Sequence, residues 1–121
     1  MDGFIKNSEI RLDGDGFQSR DFSYVLDVCK ANLLVSKHPD FLGGEAFNVA
    51  CGQTSNLWDI FKTIQGLTGN IPEIKRLPER AGDVRKTHAD ISKIKDIGFK
   101  YDFSLVEGIN LTYLWYKKEI G

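Results

Sequence analysis

Two segments carry the residue types from which chemistry could be built. The first is Arg20-Asp21-Phe22-Ser23-Tyr24-Val25, and the second is Gly82-Asp83-Val84-Arg85-Lys86-Thr87-His88-Ala89-Asp90. Each sets arginine near carboxylate at a loop-to-helix junction, the second with glycine as well, where anionic ligands are commonly held. A guanidinium is a planar fork that meets phosphate oxygens two at a time. Within Arg80-Ala81-Gly82-Asp83 the arginine could hold a diphosphate, while the aspartate takes a sugar hydroxyl or a structural arginine. On local chemistry the same residues serve equally well as a surface ion-pair loop.

Other constellations carry less. Asp13-Gly14-Asp15-Gly16 opens like a calcium loop, but its fifth and twelfth positions are Phe17 and Tyr24, neither a carboxylate, so a tight turn is expected. Gly14-x-Gly16 does not continue as a dinucleotide fingerprint, because Ser19 stands at the third glycine position, and no phosphate-binding G-K-S/T motif occurs. Tyr113 and Lys117 match a Y-x-x-x-K pair and share a helix face. No nucleotide-binding unit precedes them in this chain, so they read as part of a terminal helix packing its aromatics on the core. His38 reads as an exposed loop residue, and His88 as structural despite its place in the arginine-rich loop. No catalytic group and no metal set is assigned.

These loops need elements to position them. Ile10-Arg11-Leu12 reads as a short strand stopped by Gly14 and Gly16. Tyr24 to Lys37 reads as a helix halted by His38-Pro39, apolar around most of its circumference and so expecting cover on more than one face. Residues 46–50 read as a buried strand. Asn56 and Asp59 open an amphipathic helix that ends at Gly69. Ile74-Lys75-Arg76-Leu77 forms a third strand, Asp90 caps a brief helix to Asp96, and Ser104 with Glu107 starts a last helix running to about Lys118. The expected fold class is α+β, with three short strands and about four helices.

The chain's 121 residues suffice for one domain, and 41% hydrophobic with 27% charged content is ordinary for a globular chain. A net charge of −1 provides no field for nucleic acid or an anionic membrane, so neither is expected as a partner. No apolar run approaches the roughly 20 residues of a membrane span, and the N-terminus has no signal-like apolar core. The expectation is a cytoplasmic chain. Cys29 and Cys51 sit in apolar runs and are expected as free, buried thiols.

Four strings occur in order: G-D-G-F-Q-S-R-D-F-S-Y-V-L-D-V at 14–28, F-N-V-A-C-G at 47–52, R-A-G-D-V-R-K-T-H-A-D-I-S-K at 80–93 and S-L-V-E-G-I-N-L-T-Y-L-W-Y at 104–116. Together they resemble the C-terminal half of NAD-dependent sugar-nucleotide epimerases/dehydratases, extended short-chain dehydrogenases, and within these the UDP-hexose 4-epimerases. The resemblance implies that residues 1–121 are a nucleotide-sugar-binding unit lacking the Rossmann half, which in that family holds NAD and the catalytic Tyr, Lys and Ser/Thr. It implies no cofactor bound by this chain, with NAD expected for a full-length parent.

By match to the family's motifs, Arg20 and Arg80 would contact the diphosphate. Asp83 would bind ribose hydroxyls or orient Arg80, and Arg11, Leu12 and Asp13 would lie along the uracil. Some members place an aromatic where this chain has Asp13. Thr87 falls where a bulky tyrosine accompanies plain hexoses and a small residue leaves room for a 2-acetamido group. The implied partners are a weakly bound UDP-sugar and either a Rossmann-domain chain or a second copy. A 4,6-dehydratase or decarboxylase fragment and a freestanding nucleotide-sugar-binding or interaction module are the alternatives.

Overall fold

The computed structural model describes residues 1–40 and 42–120. Five helices and four short strands follow one another as α1 (Asp2–Ile5), β1 (Ile10–Asp13), β2 (Ser19–Arg20), α2 (Val25–Ser36), β3 (Ser55–Asn56), α3 (Leu57–Thr68), β4 (Ile74–Leu77), α4 (Ser92–Asp96) and α5 (Leu105–Glu119). The α+β class agrees with the sequence reading. Strand β1 pairs in parallel with β4, Leu12 opposite Arg76 and Asp13 opposite Leu77. Strands β2 and β3 are antiparallel, with Arg20 opposite Ser55. A further bridge joins Ser19 to Lys86 and draws the 80–87 segment onto β2.

The helix starts form where short polar side chains satisfy otherwise unpaired backbone donors. Asn56 Oδ1 accepts from the Asp59 N–H while Asp59 Oδ2 accepts from the Asn56 N–H, each at 3.0 Å. Ser104 and Glu107 make the same reciprocal arrangement. Asp90 Oδ1 accepts from the Ser92 N–H at 2.9 Å, but Asp90 stands two residues before α4 and the cap position is Ile91, not Asp90 as the sequence suggested. The 13–16 turn also forms: Gly14 and Gly16 have φ of 76° and 82°. A Cβ at Gly16 would stand 2.6 Å from Trp58 Nε1, so this position needs glycine for space as well as for conformation.

Two apolar clusters hold the molecule. Ala31, Ala50, Ile91, Ile94 and Phe99 form one, with Leu34, Phe47 and Val49 packed against it. The other lies where Phe4 meets Phe61 at 5.4 Å and Phe61 meets Trp58 at 5.6 Å. Asp27 is 3% exposed at the start of α2, and its carboxylate accepts from the backbone N–H groups of Asp102 and Phe103 at 2.8 and 3.3 Å. A buried carboxylate satisfied this way pins the entrance to α5 against α2.

Five details differ from the sequence reading. Residues 46–50 form no strand: Phe47, Val49 and Ala50 turn to the core, but no described segment offers them a ladder. Apolar alternation reports burial, whereas a strand also needs a backbone partner. Two two-residue strands and α1 were too short to leave a periodic signal. Helix α2 is covered on one side only, with Val25, Leu26 and Leu33 at 60, 50 and 56% exposure. Cys29 lies on that bare side and is free and exposed, while Cys51 is free and half-buried. In α5, Trp115 projects outward instead of packing inward, and Lys117 Nζ sits over the Tyr113 ring, 5.5 Å from its centroid.

Candidate functional site

One cleft, of about 620 Å3, gathers most of the residues singled out in the sequence. The β1 strand supplies Ile10, Arg11, Leu12 and Asp13, β2 supplies Arg20, α3 supplies Leu57 and Phe61, and the loop after β4 supplies Arg80, Gly82 and Asp83. Apolar Phe22, Leu57 and Phe61 face a set of three guanidiniums and two carboxylates. Leu12 itself points into the core and is 2% exposed. Apolar walls with a few convergent charged groups are the usual composition of a small-molecule site.

The charged groups are paired across the two loops that the sequence left far apart. Arg20 Nη2 donates to Asp83 Oδ1 at 2.7 Å, and its Nη1 donates to the Ser19 carbonyl at 2.9 Å. Arg80 Nε lies 2.5 Å from Asp13 Oδ2. Arg85 Nη2 donates to Asp15 Oδ2 at 2.8 Å, outside the cleft lining. That guanidinium, followed by the Phe17 N–H, holds the Asp15 carboxyl below its ordinary range. Backbone hydrogen bonds from Ser19 N–H to Arg85 O and from Thr87 N–H to Ser19 O complete the seam. Asp83 therefore orients Arg20 here, and not Arg80 as one of its two expected roles would have it. Its backbone N–H meets the Arg80 carbonyl at 3.1 Å, which closes the turn through Gly82.

Thr87 lies past the cleft on this seam and is not part of its wall. His88 Nε2 is 3.2 Å from the Gly52 carbonyl, away from the charged rim, in keeping with a structural role. Three contributors were given no role in the sequence reading. Gln18 donates from Nε2 to the Asp13 carbonyl at 2.9 Å, Trp58 donates from Nε1 to the Asp15 carbonyl at 2.8 Å, and Asp21 accepts from the N–H groups of Cys51 and Gly52 at 3.1 Å each. Only Gln18 and Asp21 had a signal, their place inside the 14–28 string. Burial and the Asp21 carboxylate push the Cys51 thiol above its ordinary range.

The cleft lining contains no Ser, Thr, Tyr, Cys, His or Lys. No described trio of His, Cys, Asp or Glu is placed to hold a metal ion. The arrangement is suited to gripping an anion over apolar walls.

A fold built on this β1–β4 and α3–α5 framework places the chain in a known class. Residues 3–50 match the model of the NAD dependent epimerase/dehydratase family, and the chain as a whole matches the C-terminal part of NAD-dependent UDP-sugar epimerases. UDP-glucose 4-epimerase from Thermotoga maritima, solved with UDP-glucose, is 35% identical with a TM-score of 0.88, over 98% of this chain and 38% of that one. MoeE5 in complex with UDP-glucuronic acid and NAD is 30% identical with a TM-score of 0.86, over 93% and 38%. UDP-N-acetylglucosamine 4-epimerase from Methanobrevibacter ruminantium, in complex with UDP-N-acetylmuramic acid, is 33% identical with a TM-score of 0.80, over 91% and 35%. The chain spans little more than a third of the length of the curated relatives it matches. No described helix is long and apolar enough to cross a membrane.

Proposed function

We propose that residues 1–121 are the nucleotide-sugar-binding unit of a UDP-hexose 4-epimerase and bind ligand without performing the reaction alone. The observation that carries this reading is the convergence of Arg20 and Arg80, 60 positions apart in the sequence, on one cleft with an apolar wall. In this reading the guanidiniums hold the diphosphate, Asp83 reaches ribose hydroxyls while steadying Arg20, and Arg11 and Asp13 border the base. NAD and the proton-transfer groups belong to a Rossmann unit that pairs with this chain, and the cytoplasm is the setting.

A second element of the proposal concerns the sugar. The relative solved with UDP-N-acetylmuramic acid favours acceptance of N-acetylated hexosamines, with the sugar reaching beyond the cleft toward Thr87, where threonine leaves room for a 2-acetamido group. Both points are tested in a full-length parent assayed on UDP-glucose and UDP-N-acetylglucosamine. Arg80→Ala should raise KM about tenfold with little change in kcat, the scale of one charge-assisted hydrogen bond used in binding alone. Thr87→Tyr should depress kcat/KM on the N-acetylated substrate about tenfold or more relative to the plain hexose, through overfilling of the pocket. An unchanged KM for Arg80→Ala contradicts the diphosphate role, and equal losses on both substrates remove Thr87 as the gate.

A further inference from the structure

Both guanidiniums that the proposed function assigns to the diphosphate already have carboxylate partners, but the two pairs differ in kind. In Arg20–Asp83 the side chains are 29 and 26% exposed, and Arg20 is also tied to the Ser19 carbonyl. In Arg80–Asp13 the arginine side chain is 77% exposed while Asp13 is only 24% exposed. The first pair is a fixture of the cleft wall. The second is an exposed guanidinium docked on an anchored carboxylate, whose residue is fixed at the end of β1 opposite Leu77 and whose carbonyl is held by Gln18. Both members of that second pair face the cleft.

We infer that Asp13 is an internal anion that pairs with Arg80 and competes with a bound diphosphate for it. This rests on the proposed function of the cleft. A diphosphate that recruits Arg80 must draw the guanidinium off Asp13 or share it, and in either case its oxygens come to lie near a carboxylate of the same sign. Solvent around the 77% exposed guanidinium screens the pair, so Arg80 is released readily. The phosphate meets that like-charge opposition only when it is drawn to Arg80, and a ligand without phosphate does not meet it. Asp13 thereby sets how tightly the cleft holds nucleoside diphosphates through Arg80.

The experiment is a chemical-shift titration of the 121-residue chain with UDP and with uridine, using wild type, Asp13→Asn, Asp15→Asn, Arg80→Gln and the Asp13→Asn/Arg80→Gln double variant. Asp13→Ser is carried as a second variant in case the amide disturbs the turn. Removal of Asp13 should tighten UDP about two- to fivefold at low ionic strength, with the gain shrinking as salt is added. Uridine, which carries no phosphate, should show no such tightening. Asp15→Asn, which deletes an equal charge paired outside the cleft, should give no gain, and the gain should vanish in the Arg80→Gln background. Unchanged or weaker UDP binding without Asp13, an equal gain from Asp15→Asn, or a gain that survives Arg80→Gln overturns the inference while leaving the cleft as a UDP site. Failure of UDP to bind wild type and every variant overturns the proposed function and this inference with it.

Discussion

Arg20 is the residue on which the cleft is hung. Its guanidinium spans from the Ser19 carbonyl to Asp83 and so joins β2 to the loop that carries Arg80. Charge-assisted contacts of this kind fix geometry as well as adding attraction. A neighbouring carboxylate does different work: Asp21 takes the N–H groups of Cys51 and Gly52 and lies 3.1 Å from Cys51 Sγ. Burial and that carboxylate raise the Cys51 thiol, so less of it is thiolate at any given pH. Cys29 is exposed on α2. Timed alkylation followed by peptide mass spectrometry should therefore label Cys29 first, with Cys51 at least several-fold slower. Equal rates would show that the Asp21 seat of Cys51 is not maintained in solution.

Among the elements, α3 and α5 were the most legible, because their caps and stops are local chemistry. Asn56 with Asp59, Ser104 with Glu107, and Gly69 at φ 72° each act within one helical turn, so spacing alone identifies them. The cleft was half legible. Arg20, Arg80 and Asp83 could be named, but their pairing could not, since Arg20–Asp83 and Arg80–Asp13 are contacts made through the fold. The segment 46–50 misled for a related reason, as alternation specifies which side chains are buried and not whether a strand lies alongside.

The α5 cap also has a pH signature. The Ser104 hydroxyl, then its N–H, hold the Glu107 carboxyl below its ordinary range. A depressed native value means that the cap's contribution to stability is complete above the unfolded pKa, about 4.3. It is lost as pH falls through the lower native value. Ser104→Ala should destabilise the chain at neutral pH and move the Glu107 titration upward, with the gap between variant and wild type narrowing in acid. Urea unfolding at several pH values, with carboxyl NMR, measures both. A pH-independent gap would contradict the capping account.

At the scale of the whole molecule, the bare side of α2 is the prominent surface feature. Val25, Leu26 and Leu33 are half or more exposed, and Cys29 lies among them. Contiguous apolar surface tends to find a partner. The chain is expected to self-associate as concentration rises, and Leu26→Lys with Leu33→Lys should shift it toward monomer. Light scattering or sedimentation decides this, and a clean wild-type monomer at high concentration would count against it.

The proposed function requires the cleft bounded by β1, β2 and the 80–83 loop to hold a nucleoside diphosphate. The direct measurement is a titration of the isotope-labelled chain with UDP, followed by amide chemical shifts. Amides of 11–13, 18–22 and 80–83 should shift together with one dissociation constant of about 1 mM, near −4 kcal/mol, and the affinity should fall with added salt. Shifts centred instead on the separate groove formed by Tyr24, Ile60, Ile64 and Ile109, or no shifts in the three segments at several times that concentration, would contradict it.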